Sequence, residues 1–95
     1  MTAWVYIMTN RKDGILYVGT TSSLPHRIMQ HRSGAIPGIT QKYALKRLVY
    51  VDAHATMPPA IEREKRIKRW NRAWKIRLIN KDNPEWADLF SRLLT

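Results

Sequence analysis

Two runs rich in β-branched and aromatic residues open the chain, residues 3–9 (Ala-Trp-Val-Tyr-Ile-Met-Thr) and 15–20 (Ile-Leu-Tyr-Val-Gly-Thr), with the polar stretch Asn10 to Gly14 between them. That pattern predicts two strands joined by a hairpin. With Thr9 paired to Gly14, Met8 stands opposite Ile15 and Tyr6 opposite Tyr17, so both phenols share one face of the ribbon. The period then changes. Leu24, Arg27, Ile28 and His31 recur at three- and four-residue steps, which predicts a helix from about Leu24 to Ser33 that turns Arg27 and His31 inward with the apolar residues. A serine hydroxyl from Ser22-Ser23 caps its start, Pro25 sits in its first turn and Gly34 ends it. Residues 34–45 contain Gly34, Pro37 and Gly38 and show no period, so they form a loop leading to a third strand at about Arg47 to Ala53. Pro58-Pro59 then starts a helix, and Ala60 to Trp74 reads as one helical segment with a narrow apolar stripe. Ala60, Ile61, Glu64, Ile67 and Asn71 share the side of that stripe, while Glu62 points away. After a break at Asn80 to Pro84, a terminal helical stretch carries Trp86, Leu89, Phe90 and Leu93 onto the core. The order β-β-α-β-α-α is an α+β pattern, and 95 residues without repeat or linker predict one domain over 1–95.

Charge changes the picture from fold to partner. Seventeen Lys and Arg against seven Asp and Glu leave a formal charge of +10, a self-repulsion that points to a polyanionic partner, nucleic acid first. An anionic membrane surface is the rival and ranks well behind, because the densest basic segment also holds Glu62 and Glu64 and no run approaches the roughly 18 apolar residues of a spanning helix. The first ten residues lack the pattern of a signal peptide, so the expected location is cytoplasmic. There is no cysteine, which removes disulfides, thiolate nucleophiles and Cys-type zinc sites, and His26, His31 and His54 lack zinc-site spacing. A monomer is expected.

Few residues then remain as candidates for chemistry. Glu64 lies inside the buried stripe, where a carboxylate needs a cation. An ion pair with Arg27, or a rotated stripe, would answer that need, and so would a bound metal. Tyr6 and Tyr17 read as a cross-strand aromatic pair, or as phenols bordering a cleft where one helps to deprotonate water. Arg27 and His31, one turn apart, could together take a phosphate, the guanidinium gripping its oxygens and the imidazole moving a proton. The run Arg63, Lys65, Arg66, Lys68, Arg69, Arg72, Lys75 and Arg77, interleaved with Trp70 and Trp74, is denser than solubility needs and suits contact with a phosphate backbone.

Taken together these residues resemble the GIY-YIG nuclease superfamily, whose two strand motifs stand here as Trp4-Val5-Tyr6 and Tyr17-Val18-Gly19. The likeness is to its small stand-alone bacterial members, similar to the nuclease domain of the UvrC repair protein. It extends through Leu24-x-x-Arg27-x-x-x-His31, Thr40-Gln-Lys-Tyr43, Glu64-Lys-x-Ile67-Lys68-x-Trp70 and Asn83-Pro-Glu-Trp86. The resemblance implies a small three-stranded antiparallel sheet flanked by helices, with Tyr6, Tyr17, Arg27, His31 and Glu64 as catalytic residues in one cleft. It implies that Glu64 holds one divalent metal, Mg²⁺ or Mn²⁺, that a tyrosine serves as general base, and that DNA is cut to 5′-phosphate and 3′-hydroxyl ends. Tyr43 would stand at the edge of the cleft, and Lys65, Lys68, Arg69 and Arg72 would bind substrate. Asn83 would be the family's late asparagine, with Asn80 the alternative. Trp4 departs from the family's first glycine, Thr20 stands where repair members carry lysine, and His31 where some members carry tyrosine. Two other readings keep the fold without turnover: a DNA- or RNA-binding module, and a recruiting partner within a repair or recombination assembly.

Overall fold

In the computed structural model, which describes residues 2–93, three strands form one antiparallel sheet. They are β1 (Ala3–Thr9), β2 (Leu16–Thr21) and β3 (Arg47–His54), in the spatial order β2-β1-β3. The helices are α1 (Leu24–Ser33), α2 (Ile39–Lys42), α3 (Met57–Arg69), α4 (Arg72–Asp82) and α5 (Phe90–Leu93). Residues Leu94 and Thr95 of the terminal stretch lie outside the described residues.

As the central strand, β1 is covered on both faces. Ala3, Val5 and Ile7 pack with Val18, Val49, Ala60 and Ile67, together with Ile79 and Trp86. Tyr6 and Met8 pack on the other side with Leu24, Ile28, Leu45, Leu48 and Phe90. Thus α3 and α4 cover one face and α1 and α5 the other. Each fully buried aliphatic side chain adds roughly 1.5–3 kcal/mol from area removed from water. Opposite Ile7 and Met8 stand Tyr50 and Leu48, so Val49 is an extra residue in β3, a bulge that turns both Val49 and Tyr50 toward the α3 side.

The hairpin register differs from the one read in the sequence. Tyr6 faces Gly19, Met8 faces Tyr17 and Thr9 faces Leu16, a slip of two residues. The turn takes up the difference: Gly14 N donates to Arg11 O at 2.9 Å, Ile15 N donates to Asn10 Oδ1 at 3.0 Å, and Asp13 adopts φ 60°. An even slip keeps every side chain on its face. Tyr6 and Tyr17 therefore still share one, as diagonal neighbours with ring centroids 6.4 Å apart.

α1 has the expected bounds and stops at Gly34, whose φ of 77° only glycine adopts without steric cost. The expected serine cap is absent. The Ser23 hydroxyl makes no capping bond; its N–H instead donates to Thr21 Oγ1 at 3.0 Å. Within the segment read as loop, α2 is a single short turn. The helix read as continuous from Ala60 to Trp74 is two helices: Trp70 is extended (φ −66°, ψ 151°), and the Asn71 side chain accepts from Trp74 N at 2.9 Å, starting α4. Asparagine competes with the helical backbone for such bonds, and the stripe through Asn71 concealed it. Trp86 is not helical either. It turns at φ 56° with its ring fully buried and its Nε1 donating to Asn80 Oδ1 at 2.7 Å, so only the end of the terminal stretch is helix.

Candidate active site

The register and α1 bring three of the singled-out rings into one group. The Tyr6 hydroxyl lies 2.8 Å from His31 Nε2, and the Tyr17 ring meets the imidazole edge-on, centroids 5.4 Å apart. Leu24, Ile28 and His31 are buried along one side of α1, and Arg27 on the same side is half-buried. Opposite Tyr6 stands Gly19, where a Cβ would come within 2.6 Å of Tyr6 Cζ and Oη and 3.0 Å of Tyr17 Cε1. A glycine is needed there for space. A glycine inside a strand is the sequence signal for such a close approach, and its role was missed.

Burial raises the pKa of the Tyr6 phenol well above the ordinary value of 10.0; Tyr17 and Glu64 push the same way, and Arg27 opposes them. Burial lowers the pKa of His31 below 6.5, and the positive charge of Arg27 lowers it further. His31 is therefore neutral at pH 7. Its Nε2 has the Tyr6 hydroxyl, while the buried Nδ1 has no hydrogen-bond partner. The imidazole is held through one nitrogen only, by the phenol.

Glu64, on α3, is close enough for its charge to act on the Tyr6 phenol. Its side chain is 15% exposed; Oε2 accepts from Thr20 Oγ1 at 3.0 Å, and Oε1 pairs with Lys68 Nζ at 3.2 Å. The cation beside it is Lys68, one helical turn on, where Arg27 had been one reading. Among the described residues no three of His, Asp and Glu gather to hold an ion. Glu64 and the Thr20 hydroxyl nevertheless fit a hard divalent cation, since both offer oxygen and such ions keep water and phosphate oxygens as their remaining ligands.

The other candidates are dispersed. Lys65 and Arg69 are exposed on α3. Tyr43 ends α2, is 43% exposed and lies under the Lys42 ammonium. Arg72 is engaged: its Nη2 donates to Asp13 O at 2.7 Å and Gly14 O at 2.6 Å, tying the start of α4 to the hairpin turn. Asn83 is buried at the end of α4. Its Nδ2 donates to Val49 O and Ala87 O, and its Oδ1 accepts from Ala87 N. Those bonds spend its amide on the fold. Asn80 is exposed and holds Trp86. Among the described residues no helix is long and apolar enough to cross a membrane.

Residues 2–77 match the family model described as the GIY-YIG catalytic domain. A UPF0213 protein of Staphylococcus saprophyticus is 34% identical over 77 residues, spanning 81% of this chain and 93% of that one. A UPF0213 protein of Syntrophus aciditrophicus is 34% identical over 83 residues, spanning 86% and 93%. The solution NMR structure of a UPF0213 protein from Bacillus halodurans superposes with a TM-score of 0.53 at 32% identity, over 84% of each chain.

Proposed function

The chain belongs to the GIY-YIG family, and from that premise we propose that it is a metal-dependent DNA endonuclease, hydrolysing phosphodiester bonds to 5′-phosphate and 3′-hydroxyl ends. The observation that carries this reading is the 2.8 Å contact between the Tyr6 hydroxyl and His31 Nε2. A phenol can act as a base near neutral pH when its own proton has somewhere to go. As water attacks phosphorus, its proton passes to Tyr6 Oη while the phenol proton passes to Nε2. One O–H bond of water breaks, a P–O bond forms, and the bond from phosphorus to the 3′ oxygen breaks, that oxygen taking a proton from solvent to leave as the 3′-hydroxyl while Nε2 later returns its proton to solvent. No phenolate need stand alone in a site where burial opposes it.

Arg27 acts on both partners of that transfer. Its charge favours ionisation of the phenol and keeps the imidazole unprotonated and ready to receive. The same guanidinium is suited to hold the non-bridging oxygens as charge grows on them. Tyr17, packed on His31 but less buried than Tyr6, is the phenol placed to meet the substrate. Glu64 with Thr20 would hold Mg²⁺ or Mn²⁺, which when bound supplies Lewis-acid stabilisation of the leaving oxygen. Lys65, Lys68 and Arg69 contact phosphates. The charge of +10 opposes self-association, which supports a monomer; the likeness to UvrC argues for a cytoplasmic setting in repair or recombination.

Cleavage of labelled single-stranded, duplex and branched DNA with Mg²⁺, Mn²⁺ or EDTA tests the reading. Cutting that requires metal, is lost in Glu64→Ala and falls about 10²–10⁴-fold in Tyr6→Phe, with a smaller loss in Tyr17→Phe, is the expected result. Undiminished cutting by a folded Glu64→Ala variant would sink the mechanism. One observation favours a binding module instead: Thr20 and Lys68 already satisfy the Glu64 carboxylate. Salt-sensitive binding without cutting on any substrate would select that reading.

A further inference from the structure

Across the sheet from Tyr6 and His31, α4 bears a groove of about 550 Å³ lined by Trp70, Trp74, Arg77, Leu78, Asn80 and Lys81. Trp74 leaves 51% of its surface exposed, an unusual position for the largest apolar side chain. One wall is held in place: the Arg63 guanidinium sits 5.1 Å from the Trp70 ring centroid, and the Trp74 ring meets Trp70 at 77° with centroids 6.0 Å apart. Arg63 is itself anchored by Asp52 at 3.7 Å. The platform is formed before anything binds.

The polar groups of the lining are almost all donors. Arg77 and Lys81 are cations, each indole carries an N–H, and the Asn80 carbonyl oxygen is taken by Trp86 Nε1, leaving its NH₂. The lining includes no acidic residue. The complementary ligand is flat, rich in acceptors and negatively charged. A second copy of the chain does not suit, because each copy carries +10. A duplex does not suit either, since its base faces are covered by their neighbours. An unpaired base between two phosphates meets every requirement.

We propose that this groove is a second nucleic-acid site, in which Trp74 stacks on an unpaired base of a DNA strand while Arg77 and Lys81 hold the adjoining phosphates. The proposal rests on the reading of the chain as a DNA-acting protein. The exposed cations Lys65, Lys68 and Arg69 of α3 lead toward Trp70 along the chain, and a strand with one charge per nucleotide matches such a row.

The test is binding in EDTA, so that nothing is cut, of a labelled oligo-dT, an abasic sugar–phosphate strand of equal length and a duplex. Parent, Trp74→Ala, Trp74→Phe and Arg77→Gln are compared, with thermal unfolding as the control for folding. Trp74→Ala is expected to weaken oligo-dT binding about tenfold or more, with Trp74→Phe retaining most of the affinity. Binding of the abasic strand and the duplex should be nearly unchanged by Trp74→Ala, and Arg77→Gln should weaken all strands that reach the groove. Equal affinity of parent and Trp74→Ala for oligo-dT overturns the site and leaves an acidic protein surface as the occupant to seek. An equal loss on the abasic strand overturns base stacking. A parent that cuts DNA while Trp74→Ala loses no affinity fails here alone; a parent that binds no DNA even at low salt overturns the proposed function as well.

Discussion

The Tyr6 phenol and the His31 imidazole depend on each other for hydrogen bonding and are tuned by the same neighbours. Burial and Arg27 keep the imidazole neutral, so in the unfolded chain it takes up a proton near pH 6.5 while in the folded chain it does so only at lower pH. The unfolded state then binds more protons in that window. Stability contributed by neutral His31 is therefore complete above pH 6.5 and declines as pH falls from there through the depressed folded value. Denaturant unfolding of parent and His31→Gln across pH 4–8 should show a shallower acid loss in the variant; parallel curves would contradict the assignment. Cleavage should fall over the same acid window, because a protonated Nε2 cannot receive the phenol proton. Gly19 sets a second limit on this pair. In Gly19→Ala the new methyl would overlap the phenol, so the ring must move away from His31. A stability loss of roughly 1–3 kcal/mol and a drop in activity comparable to Tyr6→Phe are expected, read by thermal melts and cleavage rates. A fully active Gly19→Ala would mean that the alignment is dispensable.

At the junction of α3 and α4, one short polar side chain decides where a helix begins. Asn71 starts α4 through one bond to Trp74 N, and Asn71→Ala is expected to cost about 1 kcal/mol in denaturant unfolding. No loss would imply that α3 simply extends through the junction. That junction was illegible in the sequence because Asn71 fell on the apolar stripe of a strong helix former, where periodicity outweighs a lone cap. The hairpin was legible in a different way: alternation placed Tyr6 and Tyr17 on one face, and a slip of two preserved that face although the turn was misjudged. His31 and Glu64 stood out because each interrupts an apolar pattern. The bond of Asn83 to Val49 could not be foreseen, since it joins the end of α4 to a bulge in β3 that no local pattern announces.

Over the whole molecule, the excess of cations makes binding a matter of ions as much as of contacts. The logarithm of affinity for DNA should fall linearly with the logarithm of salt concentration, with a slope of roughly −0.7 per phosphate contact on single strands and −0.9 on duplex. Lys65→Gln should flatten that slope by about one contact in titrations under EDTA; an unchanged slope would remove Lys65 from the interface. The sheet order has a consequence of another kind, in time. β1 is early in the sequence and central in the sheet, and its second partner, β3, follows only after β2, α1 and α2. During synthesis on a ribosome, β1 can close one edge against β2 at once, while its other edge stays unpaired until Arg47 to His54 emerge, and Ala3, Val5 and Ile7 stay uncovered until α3 and α4 follow. Completion of the sheet is thus a late event that joins segments distant in the chain, and the interval before it is when a nascent chain would expose an unpaired strand to aggregation or to a chaperone.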